Sequence, residues 1–434
     1  MKLIRDHLIL LVIIALFYVA AKYLVGFIFS IAGVPYVWPF DILLSCCIVF
    51  FLLGISYKRL WTLNVFNKRK STFYFVSLIS FMVIGIWYVI WLEARSSELY
   101  NAVVEENVRG WKGRTHQPDD TLGSKPVPGA MGFHTFPIGD DIPMKYNEYG
   151  FRVPVSEPFG VDYSKGVDLL FLGCSFTYGD ACLAEQTFPY LTAVNDSLTY
   201  INAGVGSYGL SQMFLLAQRL IPKYKPRNVI IQYSPWLVDR GTSLRAPTYY
   251  GSLFVPYFSG EGDVQIQYPL ARTQIFNIDR DFLRKIYKDQ YLKFFIRIGL
   301  PFYIRESVME LKIAGIKLFH LKPLPAKNKL EVEEFAYNAI YKLAEQNGGS
   351  VIILNLGDAS YTSRSNEIFS PEANVKFAQA DSVLHDYLKT STTKDYTREF
   401  NHWRLSNGDS VLVDGHPNAV AHWLIAKSIK AVLE

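Results

Sequence analysis

The chain has 434 residues, half of them in the hydrophobic set, with charged residues at only 19%. An ordinary soluble protein carries about 25% charged residues, so a disordered or fibrous chain is excluded and a wholly soluble one is disfavoured. The formal net charge is +5. Residues 1–99 hold nine Lys/Arg against four Asp/Glu, and residues 100–434 hold 35 of each, so the whole excess lies in the first hundred residues. That placement is a membrane-topology pattern, and it argues against nucleic acid as a partner.

In chain order, the first elements are three apolar stretches, at about Leu8–Ala32, Ile42–Tyr57 and Phe73–Leu92. Each approaches the roughly 20 residues a helix needs to cross a bilayer. The first is too long for a signal-peptide core and meets no small-residue cleavage site followed by polar sequence. Residues 1–94 are therefore expected to be a membrane anchor of three transmembrane helices. Lys2 and Arg5 precede the first helix, and Lys58, Arg59, Lys68, Arg69 and Lys70 lie between the second and third, while residues 33–40 carry no base. The positive-inside rule then keeps the N-terminus cytoplasmic and places everything after about Glu93 outside the cytoplasm. Lys22 reads as a snorkelling side chain, with a functional intramembrane charge as the alternative. Cys46 and Cys47 read as small apolar residues. Cys174 and Cys182 read as free thiols, with oxidation as the alternative in an exported domain.

Residues 95–165 are rich in Gly, Pro, Asp and Asn and read as a loop-rich lead-in that wraps the domain. From 166 to the C-terminus the texture is α/β. Short apolar runs at 167–172, 199–205, 228–233 and 350–356, with a weaker fifth at 410–413, predict strands. Helical patterns at about 185–195, 210–223, 331–346 and 418–433 separate them. Such alternation predicts a parallel sheet covered on both faces. The helix near 331–346 places Val332, Phe335, Ala336, Ile340 and Leu343 on one face. An aromatic and basic insertion at about 240–325 is read as a cap over the site, a surface resting on the bilayer, or a solvated face.

Directly after the first core strand comes Gly173-Cys174-Ser175-Phe176-Thr177-Tyr178-Gly179-Asp180. Ligands of such sheets bind beyond the carboxyl ends of the strands, so Ser175 stands where chemistry is expected. Near the C-terminus, Asp414-Gly415-His416-Pro417-Asn418 precedes the last helix. An Asp two residues from a His can hold the imidazole Nδ1 proton and leave the other nitrogen as a base. The alternatives are a locally bonded turn serine, an Asp that caps the helix, and a surface histidine.

These blocks together resemble the SGNH (GDSL-like) esterase and acyltransferase superfamily in its membrane-anchored bacterial form. The resemblance runs from about 145 to the C-terminus, the 240–325 insertion excepted, and includes Asn147-Glu148-Tyr149-Gly150-Phe151-Arg152. It implies a three-layer α/β/α, flavodoxin-like domain after the anchor. It also implies Ser175 as nucleophile, Asp414 and His416 as acid and base, and an oxyanion hole formed by Ser175 and the segment 202–209, at Gly206 and Ser207. No metal or other cofactor is implied. The sequence departs from the pattern in four places, the first being the second-block donor position, which holds Ser207 with Gly206 before it. Gly-Cys-Ser stands for Gly-Asp-Ser, and the Asp–His spacing is one residue short. The third block reads Ser234-Pro235-Trp236-Leu237-Val238-Asp239-Arg240, without its Asn. Trp236, Asp239 and Arg240 are candidates for substrate contact, against packing or a local ion pair.

The expected function is that of a tethered, extracytoplasmic serine esterase or O-acyltransferase of the bacterial inner membrane. It would act through an acyl-enzyme on acylated envelope glycans or lipids. The alternative is a non-catalytic assembly subunit that uses the fold and its helices to bind a membrane-protein partner. The missing third-block Asn motivates that reading.

Overall fold

Residues 115–434 are described by the structure, a computed structural model, with breaks at 135, 137–139, 158–162, 165, 249–250, 271–299, 358–363, 366 and 370–372. The three apolar stretches expected to span the membrane lie outside the described residues. Among the described residues, no helix is long and apolar enough to cross a membrane.

The chain opens with a hairpin of β1 (His116–Asp119) and β2 (Gly123–Pro126). An antiparallel sheet of β3 (Met131–His134), β4 (Ile142–Tyr146) and β5 (Arg152–Val153) follows. The lead-in thus contributes five short strands. The α/β part runs β6 (Leu169–Leu172), α1 (Ser175–Tyr178), α2 (Phe188–Ala193), β7 (Tyr200–Asn202), α3 (Leu210–Tyr224), β8 (Asn228–Tyr233) and α4 (Pro235–Gly241). In the insertion, β9 (Arg245–Thr248) pairs with β10 (Gly251–Phe254), and β11 (Tyr257–Ser259) with β12 (Gln265–Gln267). Helix α5 (Leu300–Phe319) belongs to a separate unit of the chain. The α/β part then resumes with α6 (Lys329–Gln346), β13 (Ser350–Asn355), β14 (Val375–Gln379), α7 (Ala380–Thr390) and α8 (Tyr396–Phe400). It ends with β15 (His402–Ser406), β16 (Asp409–Asp414) and α9 (Ala419–Leu433).

The five core strands lie in the order β14-β13-β8-β6-β7, all parallel. From the other edge this is the doubly wound order 2-1-3-4-5, with a topological switch between β6 and β8. The strand period of two divides the apolar runs between faces. Leu170, Leu172, Val229, Ile231, Val351 and Ile353 pack with residues of α3 and α6, whereas Leu169, Phe171, Ile230, Ile352 and Leu354 pack with α2, α7 and α9. Both faces are covered, which is why these runs lack polar alternation.

One expectation needs correction. Residues 410–413 are not the fifth core strand: they form β16, paired antiparallel with β15 in a separate hairpin. Its turn, Asn407-Gly408, has φ of +52° and +90°, as a two-residue primed turn requires, and Asn-Gly is the sequence signal for one. The true fifth strand, β14, is an edge strand whose Val-Lys-Phe-Ala-Gln alternation hides its core-facing residues. On α6 the buried face is Val332, Ala336, Tyr337, Ile340 and Ala344, with Glu333 buried and ion-paired to Arg364. Phe335 stays 37% exposed and packs against Phe214 and Phe258.

Candidate active site

The carboxyl end of β6 delivers the chain into a turn that has little freedom. A Cβ on Gly173 would overlap the Thr177 side chain, and one on Gly204, from the neighbouring loop, would overlap the backbone nitrogen of Tyr178. Both glycines are required by close approach. Ser175 is the first residue of the short helix α1, which ends at Gly179 with φ +82°. Ser175 is 5% exposed, and its Oγ lies 3.8 Å from Cys174 Sγ. Gln232 of β8 braces the turn: its Oε1 accepts from the Cys174 N–H at 3.1 Å and the Thr177 hydroxyl at 2.9 Å. Its Nε2 donates to Ser234 Oγ, which donates in turn to the Leu356 carbonyl. Ser234 therefore serves the sheet edge.

The far end of the turn is held by Arg152. Its guanidinium donates to the carbonyls of Tyr178, Gly179 and Cys182 at 2.9, 2.5 and 2.5 Å and stacks over the Tyr178 ring. A cation suits these last carbonyls of a helix. The rest of the 147–152 motif aims that side chain. Asn147 Oδ1 accepts from the N–H groups of Tyr149 and Phe151, and Gly150 takes φ +86°.

At the closing block, Asp414 and His416 form an Asx-type turn. Asp414 Oδ1 accepts from the His416 N–H at 2.7 Å and meets its Nδ1 at 2.5 Å. The helix cap is Asn418, whose Oδ1 accepts from Val420 and Ala421, so Asp414 is not the cap. Asn401 and Asn418 tie the loop down through the carbonyls of Gly415, Glu399 and Asn401.

The two blocks meet. The Phe176 ring stands edge-on to the His416 ring at 5.6 Å, and His416 Nε2 is 3.7 Å from Asp180 Oδ2. His134, from β3 of the lead-in, lies between the same two acids, with Nδ1 3.7 Å from Asp180 and Nε2 3.9 Å from Asp414. Burial works against a charge on His416, but the Asp414 hydrogen bond and the Asp180 carboxylate outweigh it and raise the ring to about 9. Burial also works to raise the Asp414 carboxyl, yet its bond to His416 holds it below the ordinary carboxylate value. For His134, burial prevails and lowers the ring's value.

Gly206 and Ser207 occupy a turn closed by the Tyr208 N–H on the Val205 carbonyl at 3.2 Å. Only Ser207 of the two central residues has positive φ, +68°, the pattern of a type II turn whose third position normally prefers Gly. Among the described residues, no backbone carbonyl accepts from the Gly206 or Ser207 N–H. Arg240 supports this loop by donating to the Tyr208 carbonyl at 3.2 Å, and its Cβ fills the space beside Gly209. Trp236 lines the apolar side: its ring packs on Phe176 at 5.0 Å and its Nε1 donates to Cys174 Sγ. The Asp239 carboxylate is half exposed and paired with Lys329 at 2.5 Å.

No protein-family profile and no curated protein matches this chain. Among solved structures, the chain is similar to a protein of the G-D-S-L lipolytic family from Desulfitobacterium hafniense DCB-2, at 12% identity, covering 62% of this chain and 99% of that one, with a TM-score of 0.31. It is similar to TesA at 10% identity, 62% and 98% coverage and a TM-score of 0.30. A third is a carbohydrate esterase family 2 enzyme with its carbohydrate-binding domain from Corynascus thermopiles, at 13% identity, 75% and 89% coverage and a TM-score of 0.31.

Sequence reasoning assigned no role to Asp180, Arg152, Gln232 or His134. Asp180 and Arg152 stood inside quoted motifs, so position in a motif was a usable signal. Gln232 was legible only as a polar residue in an otherwise apolar strand. His134 lies in the lead-in with no local pattern around it. Cys174 and Cys182 are buried free thiols, and burial pushes the Cys182 thiol up to about 12.

Proposed function

We infer that the chain is a serine esterase or O-acyltransferase of SGNH type. The observation that carries this is the convergence of the Ser175 turn on an Asp414–His416 pair at the switch point of a doubly wound sheet. Ser175 Oγ attacks the ester carbonyl as its proton passes to His416 Nε2, with Asp414 holding Nδ1–H. The tetrahedral oxyanion is bound by N–H groups of Ser175 and the Gly206–Ser207 turn. Collapse expels the alcohol, which takes the proton from His416 and leaves an acyl-Ser175. Water, or a sugar hydroxyl, then gives its proton to His416 and attacks the acyl carbon; as this second intermediate collapses, His416 passes the proton to Ser175 Oγ and the acid or new ester leaves. Trp236 and Phe176 supply an apolar wall for a short acyl group, and Arg240 positions the oxyanion loop. The substrates are acyl, most simply acetyl, esters of envelope glycans or lipids. The apolar residues before 94 tether the domain to the bacterial inner membrane, with residues 115–434 on its outer side.

The test is pre-steady-state turnover of p-nitrophenyl acetate by the full-length, detergent-solubilised protein. One equivalent of p-nitrophenol should appear in a burst, followed by slower steady release, and Ser175→Ala should abolish both phases. A wild-type protein that shows neither phase sinks the enzyme reading.

A further inference from the structure

Asp180 is left without a substrate role by this chemistry. It is 5% exposed, and its N–H donates to the Ser175 carbonyl at 3.1 Å, which locks it to the nucleophile turn. Its Oδ1 faces His134. Its Oδ2 lies 3.7 Å from His416 Nε2, too far for a hydrogen bond, and no donor among the described residues reaches it. Among the described residues beyond its chain neighbours, the same oxygen is the one atom within 4 Å of the place a Cβ on Gly206 would take, at 3.6 Å, so this oxygen walls the space above Gly206.

A carboxylate oxygen only accepts, and burying one without a donor is costly. This one sits where the base and the oxyanion loop meet, so a bound substrate decides what fills its acceptor sites. An acyl chain cannot, and an oxyanion would be repelled. An ammonium would oppose the charge that the His416 ring takes up when it accepts the Ser175 proton. A neutral hydroxyl on the alcohol side of the ester satisfies it without adding charge.

We propose that Asp180 is a specificity residue that accepts a hydrogen bond from a free hydroxyl of the ester's alcohol part, so that the site selects acyl esters of polyols over esters of simple alcohols. The proposal rests on the esterase reading. His134 Nδ1 lies 3.7 Å from the other carboxylate oxygen, Oδ1. The other groups facing this cluster are Asp414, His416, His402, Cys182 and the Arg152 guanidinium, and all of them act on either ester alike.

The experiment compares kcat/KM for 1-monoacetylglycerol and propyl acetate, using the full-length protein in detergent at the plateau of each variant's pH profile. Wild type should favour the glycerol ester by about 10- to 100-fold, the range of one hydrogen bond to a charged group. Asp180→Ala should lower both rates, because Asp180 also acts on His416, and should bring their ratio close to one. Asp180→Asn keeps one carbonyl acceptor in the same volume and should give an intermediate ratio, so it carries the test if the Ala variant does not fold. A wild-type ratio near one, or a ratio that neither variant moves, overturns the proposal and leaves the esterase reading standing. A wild type that turns over neither ester and resists a serine-directed phosphonate overturns both.

Discussion

At the residue scale, His416 is the most informative group. Its ring keeps a proton to about pH 9 in the folded chain, against 6.5 for the free side chain. The pairing with Asp414 therefore stabilises the fold fully below about 6.5 and loses that contribution as pH rises through about 9. In the proposed mechanism activity runs the other way, because a base must be neutral to accept the Ser175 proton. On p-nitrophenyl acetate, kcat/KM should climb with pH along a single ionisation and level off above about 9. A profile already flat at about pH 7 contradicts the assignment. Asp414→Asn should cost about 10⁴ in kcat, the usual loss when a triad carboxylate becomes an amide. Stopped-flow turnover measures it, and a loss under tenfold places the acid elsewhere. Ser175, Asp414 and His416 stand out in the sequence because each sits in a local motif. Asp180, His134 and Gln232 act only through contacts between distant segments.

At the element scale, the nucleophile turn depends on neighbours that pack or bond against it. Gly204→Ala drives a methyl into the Tyr178 backbone, where no side chain can give way, and should cost about 1–3 kcal/mol in urea unfolding. An unchanged midpoint means the two loops do not approach as described. Arg152→Lys replaces a planar fork that serves three carbonyls by a point charge. It should lower stability by about 2 kcal/mol and slow acylation of Ser175, because freed buried carbonyls lose their partner. The strong helices were readable from periodicity and four core strands from their uninterrupted apolar runs. Polar alternation hid β14, and the run at 410–413, which belongs to the β15–β16 hairpin after the Asn407-Gly408 turn, drew the assignment instead. The lead-in strands are too short for periodicity to register.

At the scale of the whole molecule, the charge excess in residues 1–99 and the neutral remainder motivate the proposed membrane orientation. With a cytoplasmic N-terminus, protease added to intact spheroplasts should digest residues 115–434; full protection would reverse the proposed orientation. Burial lowers His116 to about 4 and His422 to about 3, while their unfolded rings titrate near 6.5. The stability these neutral rings provide is complete above about 6.5 and is lost as pH falls toward 4 and below, each with a slope of up to about 1.4 kcal/mol per pH unit. Urea midpoints should fall across that window, before the carboxylates titrate. The most direct check of the acyl-enzyme is intact-mass and peptide mapping after treatment with a fluorophosphonate. One adduct on Ser175, absent in Ser175→Ala and slowed in His416→Ala, is the expected result. No adduct in the wild type, or one on another residue, would contradict it.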